Sequence, residues 1–399
     1  MWKLIRPRHL ASELWYNESN MNKQSLSFFE AVAILVGSTI GAGILGIPFA
    51  VAKAGWLVGV IYLVCLGALL MGLNLMLGEI VARTKQPLQI PGLAAKYLGS
   101  RGKTFVSITT LFGSYGALLA YVIGEGQVLQ ALFGGNAFGW SLIFWVAAGV
   151  AVFFGLRLIK KLDMLLTLII FVCLIVIVFW SAPSVRLPNL WGEISWLNLF
   201  LPYGVILFAL QGAMAIPQVE DVLPNDQPRL KEAIVVGSLI PAVVYFIYMT
   251  AVIGVTGNLT TEVASIGLGQ KLGSGAIIFG NVFALFAMGT AFLNGAMAIK
   301  RQFEWDYKMN RLAAWFLTIT VPVVLFLIGV RNFIQTIDIV GSVFGSISAI
   351  VIILIYWQAK QKGDLPATRY KLHHTLLLSV LIIIIFLVGA VRTMFDIIK

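Results

Sequence analysis

The chain has 399 residues, of which 59% are hydrophobic and only 11% charged, with a mean hydropathy of +0.93. That composition excludes a soluble domain of this length and describes a membrane protein. The formal net charge of +11 admits a nucleic-acid partner only until the placement of the basic residues is examined.

Residues 1–27 are polar and of mixed charge, which fits a cytoplasmic N-terminal segment and not a cleaved leader. Eleven apolar runs of membrane length follow, at 28–54, 56–82, 104–133, 137–155, 164–182, 198–222, 233–257, 275–299, 310–329, 337–358 and 374–395. If the first segment is cytoplasmic, 22 of the 28 Lys and Arg residues fall on the cytoplasmic side. Such a bias orients a membrane protein. It predicts a cytoplasmic N-terminus, an extracytoplasmic C-terminus and a multi-pass protein of the cell membrane. It also accounts for the positive charge without nucleic acid. Residues 86–100 read as a short amphipathic inner helix. Residues 258–274 read as a Gly-rich outer loop long enough to act as a lid. Trp56, Trp140, Trp180, Trp191 and Trp196 gather at the predicted outer face as an interfacial belt.

The first span carries Gly37-Ser38-Thr39-Ile40-Gly41-Ala42-Gly43-Ile44-Leu45-Gly46-Ile47-Pro48. Glycines and proline in that density break a helix. A break at membrane depth survives only where protein buries it or a cavity lines it. The sixth span repeats the pattern, since Gly43-x-x-x-Ile47-Pro48 matches Gly212-x-x-x-Ile216-Pro217. Each motif opens a block of five spans, 28–182 and 198–358, and an odd number of spans gives the blocks opposite orientation. The span at 374–395 is extra. Paired interrupted spans at matching positions point to a transporter's binding site, although small residues also serve close helix packing.

The run Gly37 to Ala50 resembles the first-span signature of the amino acid/auxin permease and aromatic amino acid permease families. Both belong to the amino acid–polyamine–organocation superfamily. Leu77-Gly78-Glu79-Ile80-Val81-Ala82-Arg83-Thr84 and Gly92-Leu93-Ala94-Ala95-Lys96-Tyr97-Leu98-Gly99 are similar to the second span and first inner loop of its microbial members. The resemblance implies an all-α fold of the leucine-transporter type, with a five-plus-five inverted repeat, broken helices one and six and ion-coupled transport. It places a substrate carboxylate on the backbone N–H groups of Gly41, Ala42 and Gly43, where a half-helix N-terminus supplies donors and dipole. It places the ammonium on carbonyls near Thr39, beside Ser38, and near Ala209. Phe208 and Gln211, next to Gly212, would shape the side-chain pocket, and Tyr121 would form its wall or gate.

For the coupling ion, the resemblance maps a sodium site onto Gly37, Ile40, Ala287 and Thr290. The next residue, Ala291, lacks the hydroxyl that many sodium-coupled relatives carry. Among acids in or near spans (Glu30, Glu79, Glu125 and Asp338), Glu125 lies deepest, and an intramembrane carboxylate is functional by default. The ion is a proton or sodium, with the proton favoured.

The expected function is secondary transport of a neutral amino acid by alternating access. Spans one and six would move against a scaffold of spans three, four, eight and nine. The expected partners are the amino acid, the ion and the lipid bilayer, with no nucleic acid and no cofactor. An amino acid-sensing protein on the same fold, or a carrier of another small zwitterion, is the alternative. No His, Cys or acidic cluster with metal or catalytic spacing occurs in the sequence, which argues against an enzyme.

Overall fold

In a bilayer core the backbone has no partner but itself, so apolar runs of this length become helices. The computed structural model describes residues 27–154, 156–223, 226–305, 307–365, 370–373 and 375–398. Apart from Ser27, the expected N-terminal segment 1–27 lies outside them. The described residues form helices and loops with no strand among them.

The first run divides into α1 (Ser27–Thr39) and α2 (Gly43–Ala54), bent by 54°. Then come α3 (Trp56–Ala82), α4 (Ile90–Phe133), α5 (Ala137–Phe154) and α6 (Leu156–Ser181). The second half has α7 (Leu201–Ala209), α8 (Ile216–Val222), α9 (Gln227–Thr256), α10 (Ala264–Leu272), α11 (Ser274–Trp305) and α12 (Arg311–Leu327). A last interrupted span comprises α13 (Phe333–Ile339), a π-helical segment (Val340–Gly345) and α14 (Ser346–Lys362), followed by α15 (Thr375–Ile398). Among the described residues eight helices are long and apolar enough to cross a membrane, or nine if the bent pair counts as one span. Ile169–Ser184 and Arg311–Leu327 are shorter apolar helices at the places of expected spans five and nine.

The packing falls into two groups. Helices α4, α5, α11 and α12 pack on one another, while α2, α3, α7 and α9 form a second set. The segment α13–α14 touches both, and α15 lies against α14. At its Ala82 end, α3 is anchored by the buried Glu79. That carboxylate accepts from Arg83 Nη2 at 2.7 Å, Tyr356 Oη at 2.9 Å and the Leu372 N–H at 3.0 Å. One acid thus ties α3 to α14 and to the segment entering α15. Nearby, Asp364 accepts from Lys96 and from the Lys85 N–H. These contacts hold its carboxyl below the usual carboxylate range, the Lys96 hydrogen bond most of all.

Three local expectations change. The amphipathic inner helix exists, but it runs into span three as one helix kinked at Gly99, which takes φ 79. Helix α6 begins at Leu156, so the residues expected as an inner loop at 156–163 are helical. The outer segment 258–274, expected as a Gly-rich loop, contains a helix, α10, over Ala264–Leu272. Its small residues let it settle on α11, where a Cβ on Gly269 would lie 2.6 Å from the Ile277 Cα.

Candidate substrate and ion site

The two broken spans meet at their breaks, and they do so reciprocally. A Cβ on Gly43 would stand 2.5 Å from the Ala209 Cα. A Cβ on Gly212 would stand 2.6 Å from Thr39 Oγ1. Each motif glycine is therefore the bare surface on which the other span's last helical turn rests. Only glycine allows that approach.

The same contact turns two carbonyls to one point. Helix α1 ends at Thr39 and α7 at Ala209, and helix ends leave carbonyls without intrahelical partners. The Tyr245 hydroxyl, from α9, lies 2.7 Å from the Thr39 oxygen and 3.0 Å from the Ala209 oxygen. The Gly41 backbone is a further polar neighbour of that hydroxyl, and Tyr121 lies close to it. Beside these carbonyls, α2 begins after Ala42 with no side-chain cap. The Ile44 and Leu45 N–H groups turn back to the Gly41 and Ala42 carbonyls, which leaves the N–H groups of Gly41, Ala42 and Gly43 as the donors for an anion. Acceptors and donors side by side suit a zwitterion.

Around this point Tyr121 and Phe208 face each other with ring centroids 6.5 Å apart. Ser38 and Thr39 turn their hydroxyls back to the Leu35 carbonyl, at 2.9 and 2.7 Å. Thr39 thus lays its side chain against Gly212 while its carbonyl meets Tyr245. Gln211 is exposed, and its amide abuts Gly345 of the π-helical segment. Gly37 and Ser38 are exposed, whereas α2 is buried over most of its length. At the break itself Thr39, Ile40 and Ala42 are buried.

The ion residues gather less completely. Ala287 and Ile40 are buried. Thr290 donates into its own helix, to the Phe286 carbonyl at 2.7 Å. Beside Gly37 a Cβ would meet nothing within 4 Å, whereas at Gly41 it would lie 3.7 Å from Ala291. Glu125 is fully buried, and neither of its carboxyl oxygens has a hydrogen-bond partner. It faces α11 at Gly289, where a Cβ would sit 3.5 Å from Glu125 Oε1, one residue from Thr290.

Two features escaped the sequence reading. Tyr245 was readable only as a phenol in mid-span, which needs a partner. The π-helical segment, a feature that recurs at functional sites, was foreshadowed by Gly341 and Gly345. Gly341 is required by the close approach of the α7 backbone, since a Cβ there would lie 2.7 Å from the Phe208 nitrogen, whereas Gly345 makes room for the Gln211 amide.

The sequence profile of the Tryptophan/tyrosine permease family matches residues 24–393. The tyrosine-specific transport system 1 of Haemophilus influenzae is 24% identical over 356 residues, covering 84% of this chain and 88% of that protein. The glutamine transporter 2 of Aliivibrio fischeri is 24% identical over 313 residues, covering 75% and 80%. The crystal structure of MhsT in complex with L-phenylalanine has a TM-score of 0.65 to this one at 15% identity, covering 93% of this chain and 98% of that one. At that identity the likeness is one of fold, an all-helical leucine-transporter-type bundle. With the profile spanning nearly the whole sequence, the chain belongs to the tryptophan/tyrosine permease family, whose members here are amino acid transporters and not enzymes.

Proposed function

We propose that the protein is a secondary carrier that moves a neutral amino acid by alternating access, with a proton as the coupling ion. The observation that carries this reading is the convergence of the Thr39 and Ala209 carbonyls within 3.0 Å of one atom, beside the uncapped start of α2. An ammonium fits the first group and a carboxylate the second. Tyr121 and Phe208 supply an apolar wall. Relatives named for tyrosine and glutamine transport agree with an uncharged side chain.

Glu125 supports the proton. A bare carboxylate without partners at membrane depth is costly, so the group suits a site that takes up a proton in one state and releases it in another. The sodium alternative has weaker support, because Ala291 supplies no hydroxyl and Gly37 faces open space. The reciprocal packing of Gly43 and Gly212 supports two inverted five-span repeats, with α6 and α12 as crossings in an eleven-span chain. The basic-residue bias supports a cytoplasmic N-terminus in the cell membrane.

A thermal-shift screen of the purified protein against the twenty amino acids tests the reading. A ligand at 100 times its Kd stabilises by about 2.7 kcal/mol, so at least one neutral amino acid should raise the melting temperature. No shift with any amino acid overturns the proposal.

A further inference from the structure

The carbonyls assigned above to the substrate's ammonium are already occupied. The occupant is the Tyr245 hydroxyl, on a helix that belongs to neither broken span. Tyr245 is fully buried, and α9 packs against α2 and α3, so the phenol is presented to the break from behind. A phenol has one proton and here faces two acceptors. It satisfies one carbonyl well and the other only in part, whereas an ammonium brings three donors and could satisfy both. Without that phenol the two oxygens, at helix ends in mid-membrane, would be stranded without a partner, a costly state. A carrier that must return empty faces that cost on every cycle.

We propose that Tyr245 is a positioning residue that stands in for the substrate's ammonium in the empty carrier. Its hydroxyl holds the Thr39 and Ala209 carbonyls together while the site lacks cargo, and it gives way to the ammonium when an amino acid arrives. The inference rests on the carrier reading above. The hydroxyl is not what brings the breaks together, because the Gly43–Ala209 and Gly212–Thr39 approaches do that independently. Removing the hydroxyl should therefore leave the site assembled and change its balance between empty and loaded forms. Two steps of the cycle separate these. Net uptake into empty vesicles requires the unloaded carrier to return, whereas counterflow against internal unlabelled substrate returns it loaded.

The test uses the full chain in proteoliposomes, with an equimolar mixture of labelled L-tyrosine, L-tryptophan and L-glutamine. Tyr245→Phe should lower the ratio of net uptake to counterflow about tenfold, the equivalent of about 1.4 kcal/mol and of one buried hydrogen bond. It should also lower the KM of counterflow, because the internal competitor is gone. Tyr248→Phe is the control. Tyr248 lies one turn along on α9, fully buried, and its hydroxyl has no hydrogen-bond partner, so its removal should keep the wild-type ratio. An equal fall of both modes in Tyr245→Phe would make the residue merely structural. A raised KM with an unchanged ratio would make it a direct ligand, and an altered ratio in Tyr248→Phe would remove the specificity. Each of these overturns the inference. Wild-type protein that carries the mixture in neither mode overturns the carrier reading and this one with it. Should Tyr245→Phe fail to fold, the infrared difference spectrum of the wild type on adding the mixture decides. A shifted tyrosine C–O stretch is expected, and no tyrosine band refutes the displacement.

Discussion

Replacing Gly43 by alanine probes the junction of the two breaks. The added Cβ would lie 2.5 Å from both the Cα and the Cβ of Ala209 and 3.2 Å from its nitrogen. Carbon atoms in contact prefer about 3.5–4.0 Å, so α2 and α7 must separate by about 1 Å. The obstruction includes backbone, and no rotamer change relieves it. Overpacking of this kind costs about 1–3 kcal/mol, which corresponds to about 5-fold to about 150-fold in an equilibrium constant. The loss falls on the form in which the Ala209 carbonyl and the start of α2 face a common ligand. Gly43→Ala should therefore raise the KM for uptake in proteoliposomes by at least about fivefold and lower the melting temperature. Gly67→Ala is the matched control, because its Cβ would meet Ala242 and Leu210 at 3.8 and 3.9 Å. It should be neutral or slightly stabilising, since alanine is the better helix former. A Gly43→Ala protein with wild-type KM and melting temperature would refute the apposition of the breaks.

Glu125→Gln should abolish accumulation driven by an imposed proton gradient and flatten the pH dependence of uptake, and full concentrative uptake in this variant would move the coupling site elsewhere. Arg83→Ala removes one of three donors from the buried Glu79. Breaking a buried pair costs about 3–5 kcal/mol, and the two remaining donors favour the low end, about 3 kcal/mol. The melting temperature should fall by several degrees, and an unchanged one would show that Tyr356 and Leu372 suffice. Asp364 has a carboxyl held below its ordinary range by Lys96 and the Lys85 N–H. A depressed folded value gives stability above the unfolded range that is lost as pH falls through the folded one. Asp364→Asn should thus make melting less sensitive to acid than in the wild type, by a small amount because the pair is exposed, and identical acid profiles would contradict the contact.

The breaks at Gly43 and Gly212 were legible because glycine and proline inside a membrane-length run conflict with a continuous helix, and the conflict occurs twice at matching positions. Family likeness, in turn, pointed to Tyr121 and Phe208, which the fold brings ring to ring. Tyr245 was not legible. It sits in an ordinary apolar span, and its meaning depends on two carbonyls that sequence places 170 positions apart. Main-chain acceptors leave no compositional trace. The helix α10 was misread as a loop because glycine content signals both freedom and close packing, and only the position of Ile277 shows which applies. The π-helical turn at Val340–Gly345 was hidden for a similar reason, since Gly341 answers to the backbone of α7, and Gly345 to the Gln211 amide, and not to local propensity.

The central claim, that the two breaks form a single amino acid site, is tested most directly by uptake of labelled neutral amino acids into proteoliposomes under an imposed proton gradient. The account predicts saturable, gradient-driven accumulation of at least one of them, with Gly43→Ala and Gly212→Ala both raising its KM and Gly67→Ala leaving it in place. Uptake that survives in both break variants with an unaltered KM would contradict it.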